Sequence, residues 1–212
     1  MYHQDNASNK DTIYAECSGY GRSGVKVFRL SGSTVLSIIQ LFNPNISLEP
    51  KLAKLITIYY PGTEDPIDQS LVIYFKSPQS FTGEDIIEIH THGSIAISNI
   101  LYKIFSGLSG VRIAQPGEFA KRAFLNGKMD LTQAEGLADL IDAETAMQHK
   151  QSIAQFGGNL KNTYEAWREQ LVKINSLLES LLDFPDEDIP DHIISDAFRM
   201  IGILDKAIKA HL

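Results

Sequence analysis

The sequence predicts an α+β protein, in which an N-terminal mixed β-sheet domain with helices is followed by an incomplete α-helical bundle. Up to about residue 120 the apolar residues change repeatedly between a period of two and a helical period, which is typical of mixed strands and helices. From about residue 130 onward only helical periods remain. With 43% hydrophobic and 21% charged residues and a mean hydropathy of -0.10, the composition is globular and argues against a disordered or membrane protein.

Five strands are predicted in the first part, because short runs rich in β-branched and aromatic residues end at turn-forming residues. They cover residues 25–30, 52–60, 67–75, 86–92 and 111–114. The second and third of these strands are expected to form a hairpin or a neighbouring pair.

Three helices are expected among and after these strands. The Ser-Gly-Ser sequence at residues 31–33 offers N-cap oxygens to a helix with apolar residues over 35–42. A second helix follows Ser94, and Pro116 suits the first turn of a third.

Beyond Gly127 the sequence predicts helices only. Asp130 and Gln133 match a capping box, and the helix that they open is expected to continue toward Phe156, where the glycines at 157–158 break or bend it. Residues 183–191 contain five acidic residues, which indicate a solvated connection between helices.

The helix after this glycine pair carries apolar residues at alternating steps of four and three. This a/d seam runs over three heptads and favours packing against partner helices. Its members are Leu160, Tyr164, Trp167, Leu171, Ile174, Leu178 and Leu181. A last helix is expected to place Ile194, Ala197, Phe198, Ile201, Leu204 and Ile208 on one face.

Three segments follow from this pattern: a disordered tail at residues 1–10, a first domain at 11–127 and a partial helical domain at 128–212. The N-terminus has no signal-peptide pattern, and no apolar run approaches the roughly 18 residues of a membrane span. One cysteine, Cys17, excludes an internal disulfide framework, so a cytoplasmic location is expected. The net charge of -7 argues against binding nucleic acid by bulk electrostatics.

The residues alone bear on three kinds of site. Glu88, His90 and His92 alternate along one strand and are possible zinc or iron ligands, although the more ordinary interpretation is hydrogen bonding or a pocket wall. No G-x-S-x-G motif supports a Ser-His-Asp triad, and Gly127-Lys128 lacks the context of a P-loop. Residues 19–24 match G-x-G-x-x-G, but they precede a strand and indicate a turn.

Three further charged residues, Arg29, Glu88 and Lys128, fall where predicted elements begin or end. On spacing alone, ordinary surface ion pairing explains them better than a binding site does.

An ordered series of short motifs favours the binding site. The series is DTI at 11–13, GRSGV at 21–25, FRLSG at 28–32, SFTGED at 80–85, EIHTHG at 88–93, PGEF at 116–119, RAFLN at 122–126, KMDL at 128–131, AEGLADLI at 134–141 and DFPDE at 183–187. In this order the motifs resemble the tRNA modification GTPase family MnmE (TrmE). The resemblance covers nearly the whole chain from Asp11.

The resemblance implies a tetrahydrofolate-binding domain that also forms a homodimer, followed by part of a helical domain. It implies folate contacts from Arg29, Glu88 and Lys128, with 5-formyl- or 5,10-methylene-tetrahydrofolate as the one-carbon donor, and it assigns no catalytic residue within these 212 residues. The family acts with the flavoprotein MnmG (GidA) to form carboxymethylaminomethyl-type modifications on the wobble uridine, U34, of tRNA.

In this family GTP, potassium and magnesium bind a GTPase domain whose motifs are absent from these residues, so the chain alone is not expected to hydrolyse GTP. Two alternatives remain open at this point: a non-catalytic dimerisation or assembly scaffold, and a folate-dependent aminomethyltransferase. A metalloenzyme at Glu88, His90 and His92 is a third.

The charged residues suit a folate chemically. A pterin ring presents adjacent N–H donors, which a carboxylate such as that of Glu88 accepts in parallel. Arg29 and Lys128 suit the anionic glutamate tail or a ring carbonyl. These assignments predict that the three side chains converge in the folded chain.

Overall fold

The computed structural model describes residues 11–19, 21–183 and 192–211. The chain divides into two compact units, one up to Met129 and the other from Asp130 onward.

The first unit contains a six-stranded mixed sheet, which confirms the predicted α+β fold. Its strands are β1 (Thr12–Glu16), β2 (Val25–Ser31), β3 (Ala53–Tyr59), β4 (Pro66–Phe75), β5 (Ile86–His92) and β6 (Val111–Ile113). They lie in the order β3-β4-β5-β2-β1-β6, and only the β1–β6 pair is parallel among the described residues. The expected pairing of β3 with β4 is confirmed.

Strand β1 was not among the five predicted strands. Its five residues, TIYAE, are too few for a clear period-two pattern, and they directly follow the polar N-terminal stretch. The strand nevertheless lies inside the sheet, next to the β6 edge, because it pairs with β2 on one side and β6 on the other.

Two helices, α1 (Val35–Phe42) and α2 (Ile95–Ser106), cover one face of the sheet and form the core of the unit. Alternate residues of the strands, such as Phe28, Leu30 and Ile89, point into this core. The third helix, α3 (Glu118–Leu125), begins after Gly117, whose positive φ of 73° suits glycine. Pro116 therefore lies just before the helix instead of in its first turn.

The expected capping of α1 by the serines of residues 31–33 is wrong. Ser31 is the last residue of β2, and the N-cap is Thr34, which makes no side-chain capping bond. The Thr34 hydroxyl instead lies 2.6 Å from that of Thr12 on β1. This hydroxyl contact ties the start of the helix to the strand that the sequence did not reveal.

The second unit is helical, as predicted, with α4 (Leu131–Asp142), α5 (Ala146–Phe156), α6 (Asn159–Asp183) and α7 (His192–His211). The capping box at Asp130 is confirmed by both of its hydrogen bonds with Gln133. The expected continuous helix toward Phe156 is wrong, because the extended backbone of Ala143 ends α4. Thr145 then caps α5 through a second capping box with Gln148.

The predicted heptad seam of α6 is only partly buried. Ile174 is buried, and Leu160 and Trp167 are half-buried, whereas Tyr164 and Leu171 are largely exposed. The a/d steps therefore include positions that face away from the contact with α7. Leu181 and residues 184–191 lie outside the part whose side chains are described.

The last helix shows the same division. Ala197 and Leu204 are buried, whereas Ile194, Phe198 and Ile201 remain exposed. In the described residues, no helix combines the length and apolar character that crossing a bilayer requires.

Candidate functional site

Arg29 and Glu88 form a direct ion pair on the face of the sheet opposite the core. The two residues lie across from one another in the β2–β5 ladder, so their side chains share a face. The Nε and Nη2 atoms of Arg29 both donate to Oε1 of Glu88, at 2.9 and 2.8 Å. With side chains only 28% and 15% exposed, the pair is stronger than an ordinary surface ion pair.

His90 contacts the other oxygen of the same carboxylate. It lies two residues after Glu88 on β5, and its Nε2 is 3.2 Å from Oε2 of Glu88. Both carboxylate oxygens are therefore held, one by an arginine and the other by an imidazole.

Two aromatic rings flank the Arg29 guanidinium. The ring centroids of Phe81 and Phe119 lie 5.5 and 5.6 Å from its central carbon. Contacts of this kind restrict the motion of an arginine and reduce its hydration, which strengthens its attraction to the neighbouring carboxylate. Phe81 belongs to the loop between β4 and β5, and Phe119 to the first turn of α3.

Lys128 lies beside the same β4–β5 loop. A Cβ atom built on Gly83 would approach Cγ of Lys128 to 3.2 Å, so the lysine stem runs against this loop two residues from Phe81. Lys128 itself is exposed. The structure thus brings Arg29 and Glu88 into contact and places the Lys128 stem against the loop that covers Arg29.

A buried polar network supports this loop, and sequence reasoning assigned no role to its members. Arg122 is 1% exposed, and its Nη1 donates to both oxygens of Glu84, at 3.2 and 2.9 Å. Glu84 also accepts a 2.7 Å hydrogen bond from the hydroxyl of Ser31, two residues beyond Arg29. The network therefore joins α3, the loop and β2 around the ion pair.

Glu118 extends the network to the edge of the sheet. Its carboxylate accepts hydrogen bonds from Arg112 at 2.6 and 2.9 Å, and from the backbone N–H of Gln115. These bonds, first among them those from Arg112, lower the pKa of Glu118 to about 2, with the charge of Arg122 contributing. Glu84, Glu118 and Arg122 lie in the motifs SFTGED, PGEF and RAFLN, respectively. These motifs are the sequence signal that could have identified the three residues.

The three possible metal ligands do not act together. Glu88 and His90 belong to the pair with Arg29, whereas Nδ1 of His92 lies 2.6 Å from Asp68 on β4. Across residues 11–19, 21–183 and 192–211, no group of three or more His, Cys, Asp or Glu side chains is arranged to hold a metal ion.

A separate cavity of about 330 Å³ lies on the core face, between the sheet and α2. It is lined by a buried ion pair in which Nζ of Lys26 lies 2.7 Å from Oε1 of Glu16, and by Tyr102. Lys26 and Arg29 are three residues apart on β2, so their side chains lie on opposite faces of the sheet. This cavity is therefore not part of the Arg29–Glu88 site.

The fold and site define a class of protein: a mixed-sheet unit with an arginine–glutamate pair, joined to a helical unit. Comparison with known sequences specifies the class further. Residues 12–128 match the family described as GTP-binding protein TrmE N-terminus, and residues 131–212 match the MnmE helical domain. The chain therefore belongs to the MnmE (TrmE) family, as its motifs predicted.

Its curated relatives are tRNA modification GTPases named MnmE. The one from Rickettsia akari (strain Hartford) is 53% identical over 186 residues, which is 88% of this chain and 42% of the relative. Those from Rickettsia rickettsii (strain Sheila Smith) and Orientia tsutsugamushi (strain Boryong) are 51% and 50% identical, each over 95% of this chain and 45% of the relative. The chain thus spans less than half the length of these relatives.

Proposed function

We propose that this chain is the N-terminal part of a tRNA-modifying GTPase, and that Arg29, Glu88 and Lys128 bind a tetrahydrofolate derivative. The observation that carries the proposal is the geometry of the Arg29–Glu88 pair. It presents an anchored carboxylate and an arginine side by side, on a sheet face that α3 and the β4–β5 loop partly cover.

The donor set fits the pyrimidine edge of a pterin, which presents a carbonyl acceptor followed by two N–H donors. Nε and Nη2 of Arg29 are used by Glu88, but Nη1 makes no hydrogen bond within the described residues. Nη1 is thus available to a ring carbonyl. The carboxylate of Glu88 accepts twice from Arg29 on Oε1 and once from His90 on Oε2, so it retains one lone pair, on Oε2, for a ring N–H group. A ligand without those donors would leave this half-buried carboxylate undersolvated, which is a source of specificity.

Lys128 suits a different part of the ligand. Its stem lies beside Gly83 and the residue is exposed, so the ammonium group can follow a flexible anion. We assign it to the glutamate tail or to a ring carbonyl. A lysine serves this purpose because its charge does not require a single planar geometry.

We propose further that two copies associate through the uncovered part of the same sheet face. Leu55 on β3 is 61% exposed, and it lies opposite Leu71 of β4, which in turn lies opposite His90. Toward β1 this face is closed, since Ile13 is fully buried. An apolar strip beside a binding site is typical of an interface, and a homodimer would cover it.

In the whole protein, the folate would supply the one-carbon unit for a carboxymethylaminomethyl-type group on U34 of tRNA. The partner would be the flavoprotein MnmG (GidA). GTP, potassium and magnesium would bind the GTPase domain outside these residues, and the complex would act in the cytoplasm. The part played by the present residues is to bind and orient the folate.

Isothermal titration with 5-formyltetrahydrofolate tests the proposed site. Glu88→Ala removes the charged acceptor of a ring N–H group, so the affinity is expected to fall at least tenfold, from the roughly 1.5 to 3 kcal/mol of a hydrogen bond to a charged group. Glu49→Ala changes an exposed glutamate on the same unit and serves as the matched control. Equal affinity in both variants would remove Glu88 from the site, and no binding by the wild type would favour the assembly scaffold.

A further inference from the structure

The cavity between the sheet and α2 contains a buried ion pair, Lys26 with Glu16, that the proposed folate site does not use. We infer that this cavity is a second binding site, and that its ligand is a small neutral molecule with neighbouring hydroxyl groups, such as a pentose. The inference goes beyond the proposed function, because the cavity lies on the face of the sheet opposite Arg29 and Glu88.

The two charged side chains occupy positions that belong to the core. Lys26 precedes Phe28 and Leu30 on the core face of β2, where strand alternation predicts an apolar residue. Its side chain is 4% exposed, and that of Glu16, which lies opposite Phe28 on β1, is 10% exposed. Burial of two charges is costly even when they pair, so the stability of the core does not explain a lysine at this position.

The ion pair retains hydrogen-bonding capacity at the cavity. Nζ of Lys26 lies 2.7 Å from Oε1 of Glu16, a contact that uses one of the three N–H groups of the lysine. Within the part of the chain that the structure describes, the other two N–H groups and Oε2 of Glu16 make no hydrogen bond. Both residues line the cavity, so a ligand there would meet donors and an acceptor side by side.

Helix α2 supplies the opposite wall of the cavity. Ile95, Ser98, Asn99 and Tyr102 lie on one face of this helix and line the space. Asn99 adds an amide that donates and accepts, while the Tyr102 ring, 5.6 Å from that of Phe28, adds an aromatic surface held by the core. The volume of about 330 Å³ lies at the lower end of the roughly 300 to 1,000 Å³ of small-molecule sites.

The charges in the cavity favour a neutral ligand. Lys26 and Glu16 neutralise one another at 2.7 Å, so an ion that is attracted by one of them is repelled by the other. A charged ligand would therefore lose its hydration without a matching gain. A hydroxyl group avoids this cost, because it can accept from an N–H group while it donates to a carboxylate oxygen. Two neighbouring hydroxyl groups suit the two remaining N–H groups of the lysine and Oε2 of the glutamate.

Titration of the 212-residue chain with D-ribose, followed by backbone-amide NMR, tests the site. For so small a ligand a Kd in the millimolar range is expected, with resonance changes at Ser98 and Asn99. Glycine and acetate serve as zwitterionic and anionic probes and are expected to bind weaker by about tenfold or more. The absence of ribose binding, or tighter binding of glycine or acetate, would overturn the inference.

A double variant, Glu16→Leu with Lys26→Met, tests the role of the ion pair. Apolar side chains of similar size generally replace a buried ion pair without loss of folding, whereas removal of one partner leaves an uncompensated charge. Ribose affinity is expected to fall by about tenfold or more in this variant. Lys103→Met changes an exposed lysine of α2 and should leave the affinity unchanged.

Thermal unfolding verifies that each variant is folded, and Asn99→Leu, at an exposed lining position, replaces the double variant if that does not fold. Equal ribose affinity in the wild type and in the variant used would overturn the inference. Glu88→Ala separates the two sites, because it should weaken folate binding and leave ribose binding intact. If it weakened ribose equally, the sugar would occupy the proposed folate site and the inference would fail. A wild type that bound ribose but no folate would refute the proposed function alone.

Discussion

At the scale of single residues, the sequence identified the charged groups but not how they act on one another. The motifs indicate Arg29 and Glu88 as ligand contacts, but they do not indicate that the two side chains bind each other. Their pairing depends on the β2–β5 register, which aligns residues 59 positions apart and has no local signal in the sequence. The same holds for Arg122, whose burial depends on the loop and helix that meet around it.

Glu118 should make the stability of the first unit depend on pH. Its folded-state pKa of about 2 lies below the ordinary 4.5, so its contribution is complete above pH 4.5 and is lost as the pH falls toward 2. The shift corresponds to at most about 3 kcal/mol of the free energy of unfolding. Urea unfolding between pH 7 and 3 should therefore show a smaller decrease in Glu118→Gln than in the wild type.

The matched control for this measurement is Glu49→Gln, which neutralises an exposed carboxylate. Its unfolding free energy should follow that of the wild type across the same pH range. If the unfolding free energy of Glu118→Gln shows the same pH dependence as that of the wild type, the hydrogen bonds from Arg112 to Glu118 do not stabilise the folded state.

At the scale of elements, strands and helices with a complete local pattern were predicted well, and those that depend on neighbours were not. Strand β5 was predicted at its observed bounds, because its apolar residues and the following Gly93-Ser94 are local signals. Strand β1 was missed, since its pairing with β2 and β6 is what makes it a strand. The break before α5 does have a local signal, because Thr145 and Gln148 have the spacing of a capping box.

The capping box of α5 gives a prediction at this scale. In Thr145→Ala the backbone N–H of Gln148 loses the side-chain oxygen that it bonds at 3.2 Å. The free energy of unfolding of the second unit should fall by about 1 kcal/mol, as for other N-cap threonines. Chemical unfolding followed by far-ultraviolet circular dichroism measures the change.

Ser176→Ala provides the comparison for this cap, because Ser176 lies inside α6, where its hydroxyl donates to the carbonyl of Val172. Alanine favours a helix interior, so this variant should be as stable as the wild type or slightly more stable. If Thr145→Ala had the same free energy of unfolding as Ser176→Ala, the Thr145 cap would not be needed for the stability of α5.

At the scale of the whole molecule, the sheet has one face closed by α1 and α2 and another that is closed only in part. Ile13 and the Arg29 region are covered, whereas the strip of Leu55 and Leu71 extends this face toward the β3 edge. Binary patterning could not reveal this asymmetry, because half-buried and exposed apolar residues have the same period along a strand. It follows from the position of α3, which depends on the tertiary contacts of Arg122.

The proposed homodimer through this strip leads to the last prediction. In Leu55→Glu a charge would have to be buried at the interface, so the variant should dissociate at protein concentrations where the wild type has twice its 23.6 kDa mass. Leu41→Glu changes an exposed leucine of α1, on the opposite face, and should leave the mass unchanged. Light scattering after size exclusion measures all three proteins, and a monomeric wild type, or a dimeric Leu55→Glu, would rule out this strip as the interface.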